Sequence, residues 1–451
     1  MGKVFTHLKA RIESGYFQKL GVNAIELMPI FAQGWRRDKK TGAMKRPPWG
    51  YQAISWYALN GDFGSAADFT ALVDTAHARG IAIFVDVSLE HGYGGEANGL
   101  LTDLFPSWRE TKPKNPWGLL ELSMKDARTR AFLLGGLKRL LVDLGVDGIR
   151  FDWTDKVSTP HWKAVVAEVR RFKPEAILIS ENPRLDLLTK ADFDGVWDFF
   201  FQWEAPLLLR EIFSNWDGFS KRMVSTQAKL VENLLGSAYP PRGAKHIEGL
   251  DARKPPKVVR YIESHDLARI ARPRVRFQHG GDHFFDVDGD GKKPDWLEGG
   301  STAKSRLGAT LLAMLPGAIM LFSGQEHGAA DALIWAYDPI DEKKAHSATL
   351  AHYRKMLRLR STRPELRSND LRLIFSDEKR HLLAFSRGTD AARRDDDRAV
   401  VVLNFGAGAH KGVEVELPLA ATWVDVISGK RYTAKRVRLD LDHAGYAVLL
   451  R

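Results

Sequence analysis

Short apolar, β-branched runs recur along the first three quarters of the chain: NAIELMPI (23–30), IAIFVDVS (81–88), VDGIRFD (146–152), AILIS (176–180), DGVWDFF (194–200), KVVRYIES (257–264) and AIMLFSG (318–324). Each has the length and composition of a buried strand rather than a helix. Between them lie stretches such as AADFTALVDTAHARG (66–80) and DARTRAFLLGGLKRLLVDLG (126–145), in which apolar residues return at helical spacing. Gly145 stands where a helix would end in a left-handed residue. Strands alternating with helices imply right-handed βαβ units and a parallel sheet. Seven such strands fit a (β/α)8 TIM-type barrel better than a six-stranded open sheet. No GxGxxG or GxxxxGK[ST] follows any strand, so a nucleotide-binding fold is the weaker alternative.

The pattern changes after the helical LAHYRKMLRLRSTRPELR (350–367). RLIFS, LLAFSRG, AVVVLNFG, GVEVEL, TWVDVIS and YAVLL are short strand runs separated by turn residues with no helix between them. They predict a C-terminal antiparallel β-sandwich. The expected organisation is a catalytic barrel over 1–367, with a short loop region at 92–120 and a long loop at 271–300, and an all-β domain over 368–451.

Chemistry collects where four of the runs end. DVSLEH (86–91), GIRFD (148–152), ISEN (179–182) and YIESHD (261–266) each place charge or histidine at a strand's C-terminal end, the face where barrel enzymes carry their active sites. Asp152, Glu181 and Asp266 therefore stand on three different strand ends. A nucleophile and a general acid/base, with a third carboxylate to stabilise positive charge, meet the needs of retaining glycoside hydrolysis. Arg150 is two residues from Asp152, so both point to one face of the strand. Arg150 would either keep that aspartate ionised or simply bridge it structurally; one strand alone does not decide, and four argue for a site.

In order and spacing these four blocks resemble the conserved regions of the α-amylase family of glycoside hydrolases (family 13). The likeness extends through WGYQAISWYALNGDFGSAADFTALVDTAHARGIAIFVDV (49–87) and PGAIMLFSGQE (316–326). It implies that Asp152 is the nucleophile, Glu181 the acid/base and Asp266 the stabilising carboxylate. It further implies that His91, Arg150 and His265 contact the sugar or hold the nucleophile, that Tyr51 stacks on the sugar, and that Asp86 supports the site. Glu181 must begin protonated and Asp152 ionised, so their surroundings should drive the two pKa values apart. Trp117 and Trp153 are the aromatic residues expected to be exposed as sugar platforms.

Three features depart from the family pattern. Glu90 stands where many members carry a calcium-binding asparagine. DVDGDGKKPDWLE (286–298) sets Asp286, Asp288 and Asp290 at alternate positions before Gly291, making them candidate calcium ligands, but Leu297 at position twelve breaks an EF-hand. The run that the family places first in its barrel has no counterpart ahead of GKVFTHLKARIESGYFQKLG. The chemistry itself requires no cofactor.

Composition narrows the remaining choices. A net charge of +11 invites a nucleic-acid partner, yet the basic residues are scattered beside acids and form solvated surface. No apolar run is long enough for a membrane span, no leader is evident, and there is no cysteine, so a cytoplasmic protein is expected. The expected partner is an α-glucan oligo- or polysaccharide of the starch or glycogen type, cleaved mainly at α-1,4 bonds. The alternatives are an α-glucan transglycosylase and a catalytically inactive sugar-binding barrel.

Overall fold

A computed structural model describes residues 3–37, 42, 44–45, 49–93, 119–211, 227, 230–231, 257–267, 269–273, 275–277, 295–297, 300–330, 342–389 and 397–451. The chain divides into two compact units, Met1–Trp197 and Asp198–Arg451. Among the described residues no helix is long and apolar enough to cross a membrane.

The first unit holds five parallel strands, β1 (Ala24–Leu27), β2 (Ala82–Val87), β3 (Gly148–Phe151), β4 (Ile177–Ser180) and β5 (Gly195–Trp197), paired in that order. Register is continuous across the middle of the sheet: Asp86 lies opposite Arg150, Arg150 opposite Ile179, and Ile179 opposite Gly195. Helix α1 (Val4–Glu13) precedes β1, and α2 (Ala66–His77), α3 (Ala127–Lys138), α4 (Thr159–Phe172) and α5 (Leu185–Lys190) lie between the strands.

Their sequences explain their places. In α2 the buried residues are Phe69, Leu72, Val73 and Ala76, and in α4 they are Trp162, Val165, Val166 and Val169. Both sets follow the i, i+3, i+4, i+7 stripe of a helix laid on a sheet. The Ser65 side chain accepts from the Asp68 amide while Asp68 accepts from Ser65, so α2 starts with a reciprocal cap. The periodic stretch over 126–145 is not one uniform α-helix, because α3 runs into a π-turn at Arg139–Asp143 before Gly145 turns left-handed at φ 73°. That extra residue keeps Leu140 and Leu141 buried as the chain turns into β3.

Aspartates staple the strand starts. Asp147 accepts from the Ile83 amide at 2.7 Å, and Asp194 accepts from the Leu178 amide at 2.8 Å. At the opposite ends the ladder continues into the loops, with the Asp152 amide donating to Val87 O and the Glu181 amide to Phe151 O, both at 3.0 Å.

The second unit contains two more parallel strands, β6 (Val258–Arg260) and β7 (Ala318–Ile319), with helices α6 (Phe199–Leu209), α7 (Thr302–Met314) and α8 (Ser347–Thr362). Its C-terminal part is antiparallel throughout. Strands β8 (Arg372–Asp377), β9 (Leu382–Arg387), β10 (Ala399–Asn404), β12 (Trp423–Asp425), β13 (Arg431–Tyr432) and β15 (Tyr446–Leu450) form one sheet; β11 (His410–Glu416) and β14 (Arg436–Leu441) form the other. Leu382, Ala384, Val400 and Val402 pack in one core with Val413, Val415 and Val437 of the second sheet. Leu383, Phe385, Val401 and Leu403 pack in another with Leu311 and Met356 of the helices. This double covering is why β9 and β10 lack polar alternation. Apolar runs did not reveal the two-residue β13 or the longer β14, whose exposed positions are Arg436, Arg438 and Asp440. The predicted fold class, parallel strands alternating with helices followed by an antiparallel sandwich, is thus the observed one.

A glycine keeps the inner row of the first sheet closed. A Cβ at Gly148 would meet Ile177 O at 2.6 Å and Phe84 Cδ1 at 2.9 Å, and the backbone oxygen cannot move without breaking the ladder. Gly148→Ala should therefore destabilise the chain by about 1–3 kcal/mol, the usual range for overpacking. Urea unfolding measures this, and an unchanged midpoint would refute the proposed crowding.

Candidate active site

Arg150 leaves β3 fully buried and carries its guanidinium to the C-terminal end of the sheet. Nη1 donates to Asp86 at 2.8 and 2.7 Å and to Asp152 Oδ1 at 2.7 Å, and Nη2 lies 2.9 Å from Glu181 Oε1 as an ion pair. Its carbon centre stands 4.1 Å from the ring centroid of Trp197 at the end of β5. One cation thus meets carboxylates from three consecutive strand ends and rests on an aromatic face from a fourth strand. Burial opposes its charge, but Asp86, Glu181, Tyr51 and Asp152 together hold its proton even more tightly than usual.

The neighbours are fixed in turn. Tyr51 donates its hydroxyl to Asp86 Oδ2 at 2.5 Å. His91 presents Nε2 3.9 Å from Asp152 Oδ2, and its Nδ1 lies 2.9 Å from Ser88 Oγ and 3.1 Å from Glu90 Oε1. Trp153 takes a left-handed backbone at φ 45°, uncommon for a bulky residue, and this turn aims its amide at Glu181 Oε2, 2.6 Å away. Beyond it, Thr154 Oγ1 lies 2.6 Å from Ser180 Oγ, and Asn182 Nδ2 donates to Asp155 at 2.9 Å, lacing together the loops that follow β3 and β4.

Of the residues singled out in sequence, Tyr51, Asp86, His91, Arg150, Asp152, Trp153 and Glu181 converge in the first unit. His265 and Asp266 belong to the second unit, where His265 Nε2 lies 3.3 Å from Asp266 Oδ2 and Ser264 Oγ accepts from the Asp266 amide at 3.1 Å. Trp117, Asp286, Asp288 and Asp290 lie outside the described residues. Two details change the expected roles. Tyr51 hydrogen-bonds to Asp86 as well as offering a ring, and Trp153 contributes a backbone amide while its ring packs edge-on to His91 at 5.8 Å. Sequence reading missed Ser88, Thr154, Ser180 and Glu26; the first three are small hydroxyl residues within or just after the charged blocks, the one signal that could have marked them.

Electrostatics depart from the expected division of labour. Burial, then the charge of Glu181 close by, push the Asp152 carboxyl well above the ordinary range, although Arg150 pulls the other way. The surroundings therefore do not by themselves keep Asp152 ionised. A single guanidinium shared by three carboxylates does not offset the burial of Asp152.

Residues 12–97 match the family model described as alpha amylase, catalytic domain, and residues 373–442 match alpha amylase, C-terminal all-beta domain. Over these two segments the chain is similar to the catalytic and C-terminal domains of the α-amylase family. Among relatives, it is 25% identical to a malto-oligosyltrehalose trehalohydrolase of Deinococcus radiodurans, over 92% of this chain and 72% of that one. It is 22% identical to neopullulanase 2 of Thermoactinomyces vulgaris, over 94% of this chain and 67% of that one. A maltogenic alpha-amylase structure from Thermotoga neapolitana shares its fold with a TM-score of 0.74 at 17% identity, covering 100% of this chain and 94% of that one.

The calcium candidates Asp286, Asp288 and Asp290 fall outside the described residues, within which one other group has the spacing of a metal site. Glu90, His91 and Asp152 are the described group whose donor atoms lie within 4.8 Å of one another. One nitrogen and two carboxylates do not suit a cation that takes six to eight oxygens, and an ion there would cover Asp152. No step below runs through a metal.

The raised Asp152 proton has a thermodynamic signature. A folded-state carboxyl that keeps its proton costs stability, relative to an uncharged analogue, once pH rises above the ordinary carboxylate range. Asp152→Asn should therefore gain thermal stability over the wild-type chain as pH goes from 4 to 7. Melting curves across that range test this; a difference that stays flat or changes sign would contradict it.

Proposed function

We propose that this α-amylase-family chain is a retaining glycoside hydrolase that cleaves α-glucosidic bonds, mainly α-1,4, in starch- or glycogen-type glucans. The observation that carries the reading is the Arg150 guanidinium joining Asp86, Asp152 and Glu181 at adjacent strand ends. Two carboxyls on neighbouring nitrogens of one cation suit a nucleophile and an acid/base working on the same bond. The names of the relatives, a trehalohydrolase, a neopullulanase and cyclomaltodextrinases, support hydrolysis of glucose oligomers.

In the proposed first step Asp152 attacks the anomeric carbon while Glu181 gives its proton to the departing glycosidic oxygen. The C1–O bond breaks as the ester to Asp152 forms. This step needs Asp152 ionised and the proton on Glu181 in the reactive complex, where the glycosidic oxygen is its acceptor. Water next gives a proton to Glu181 and attacks the same carbon, freeing Asp152 with configuration retained. His91, close to Asp152 Oδ2, is positioned to meet a sugar hydroxyl, and the Trp153 amide holds Glu181 while it is charged. The role of the carboxylate that stabilises positive charge is assigned to Asp266 from its sequence block.

Glu181→Gln should lower kcat/KM on maltoheptaose by about 10³-fold, within the usual contribution of a general acid. It should spare an activated α-glucosyl fluoride, whose leaving group needs no proton. Equal losses on both substrates would refute the acid role. With wild-type protein, reducing ends should appear on amylose in step with bond loss. New branch points or exchanged chain lengths without reducing ends would instead favour a transglycosylase, a reading prompted by the 30% identity to a glucan branching enzyme over 30% of this chain.

A further inference from the structure

Arg184 follows Glu181 by three residues, stands just before α5, and takes no part in the steps proposed for the reaction. Its side chain is largely buried, and its donors go to the loop that follows β3. Nη1 donates to Thr154 O at 2.9 Å and to Val157 O at 2.6 Å, and Nη2 donates to Thr159 Oγ1 at 2.7 Å. Asp186 holds the guanidinium in place, accepting from Nε at 3.2 Å and from Nη2 at 2.7 Å, and it accepts from Thr159 Oγ1 as well. An arginine that served only to pair with Asp186 at the start of α5 would need none of the bonds across to Thr154, Val157 and Thr159. A rigid fork anchored on one side and bonded at three positions on the other fixes the path of the chain between them.

The loop held in this way makes the left-handed turn at Trp153. A bulky residue at φ 45° keeps that backbone only where its surroundings over-determine it. Thr154, next to the turn, supplies the fixing points. Its carbonyl accepts from Arg184 and from Trp162 Nε1 at 3.0 Å, and its hydroxyl meets Ser180 Oγ and Asn182 Oδ1. With the turn in place, the Trp153 amide lies 2.6 Å from Glu181 Oε2. We propose that Arg184 is a positioning residue for Glu181: it ties the segment that carries the acid/base to the loop that carries its amide donor, and so keeps the carboxyl aimed. Asp152 has separate anchors, the Arg150 guanidinium and Val87 O. Arg184 therefore acts on proton transfer to the leaving oxygen and leaves the nucleophile where it is.

The proposal rests on Glu181 being the acid/base. Its test compares kcat/KM on maltoheptaose with kcat/KM on α-glucosyl fluoride for wild type, Arg184→Gln and Arg184→Lys. Arg184→Gln should lose about 10²-fold on maltoheptaose, the order expected when a reacting group is displaced by about 1 Å, and the loss should fall on kcat with KM little changed. On the fluoride, whose departure takes no proton from Glu181, it should stay near wild type. Arg184→Lys keeps the charge beside Asp186 and loses the fork, so it should separate the two substrates in the same way. Equal losses on both substrates, or an undiminished rate of Arg184→Gln on maltoheptaose, overturn the proposal and leave the acid/base reading intact where Glu181→Gln itself separates the substrates. A Glu181→Gln variant that loses equally on both overturns the two together. If Arg184→Gln fails to fold, Arg184→Lys decides: a loss confined to maltoheptaose supports the proposal, and equal losses or none overturn it.

Discussion

One buried cation has to serve several buried anions at the end of the first sheet. Arg150 is the fixed positive charge around which Asp86, Asp152 and Glu181 are arranged, and its guanidinium is wholly removed from solvent. Removing a single partner from such a cluster leaves an uncompensated charge, which typically costs about 3–5 kcal/mol. The surrounding architecture follows from that constraint. Register aligns Asp86 with Arg150, ladder bonds continue to Asp152 and Glu181, and Trp197 closes the open face of the guanidinium.

In the proposed mechanism the shortage of positive charge also serves the chemistry. Were each carboxylate given its own cation, both Asp152 and Glu181 would stay ionised, and no group could protonate a leaving oxygen. With one guanidinium shared among them, burial raises the pKa of Asp152 and that of Glu26 in the row below. The strained backbone at Trp153 belongs to the same device, since its amide stabilises the charged form of Glu181 without adding a full charge.

Much of this could be read in the amino-acid order. The seven described parallel strands lie within the predicted runs, and those buried throughout, such as β3, β5 and β6, are the most apolar stretches around them. The charged strand ends stood out because charge there contradicts burial. What escaped notice depended on geometry that period and composition do not encode. Trp153 looked like an aromatic platform, yet its contribution is a left-handed turn. Glu26 sat in an apolar run with no charged neighbour, and only the pairing of β1 with β2 brings it beneath Asp86. The π-turn after α3 adds a residue without disturbing the apolar stripe, so helical periodicity ran straight through it. Strand β14 was hidden by its arginines, which occupy the exposed half of a two-residue repeat.

The central claim is that Asp152, held by Arg150, forms the bond to the sugar. Trapping with a 5-fluoro-α-glucosyl fluoride, followed by proteolysis and peptide mass spectrometry, addresses it directly. The account predicts a single glycosyl ester on Asp152, absent from Asp152→Asn and slow to hydrolyse. A stable adduct on Glu181 or Asp266, or turnover of the fluoride with inversion and no adduct, would contradict it.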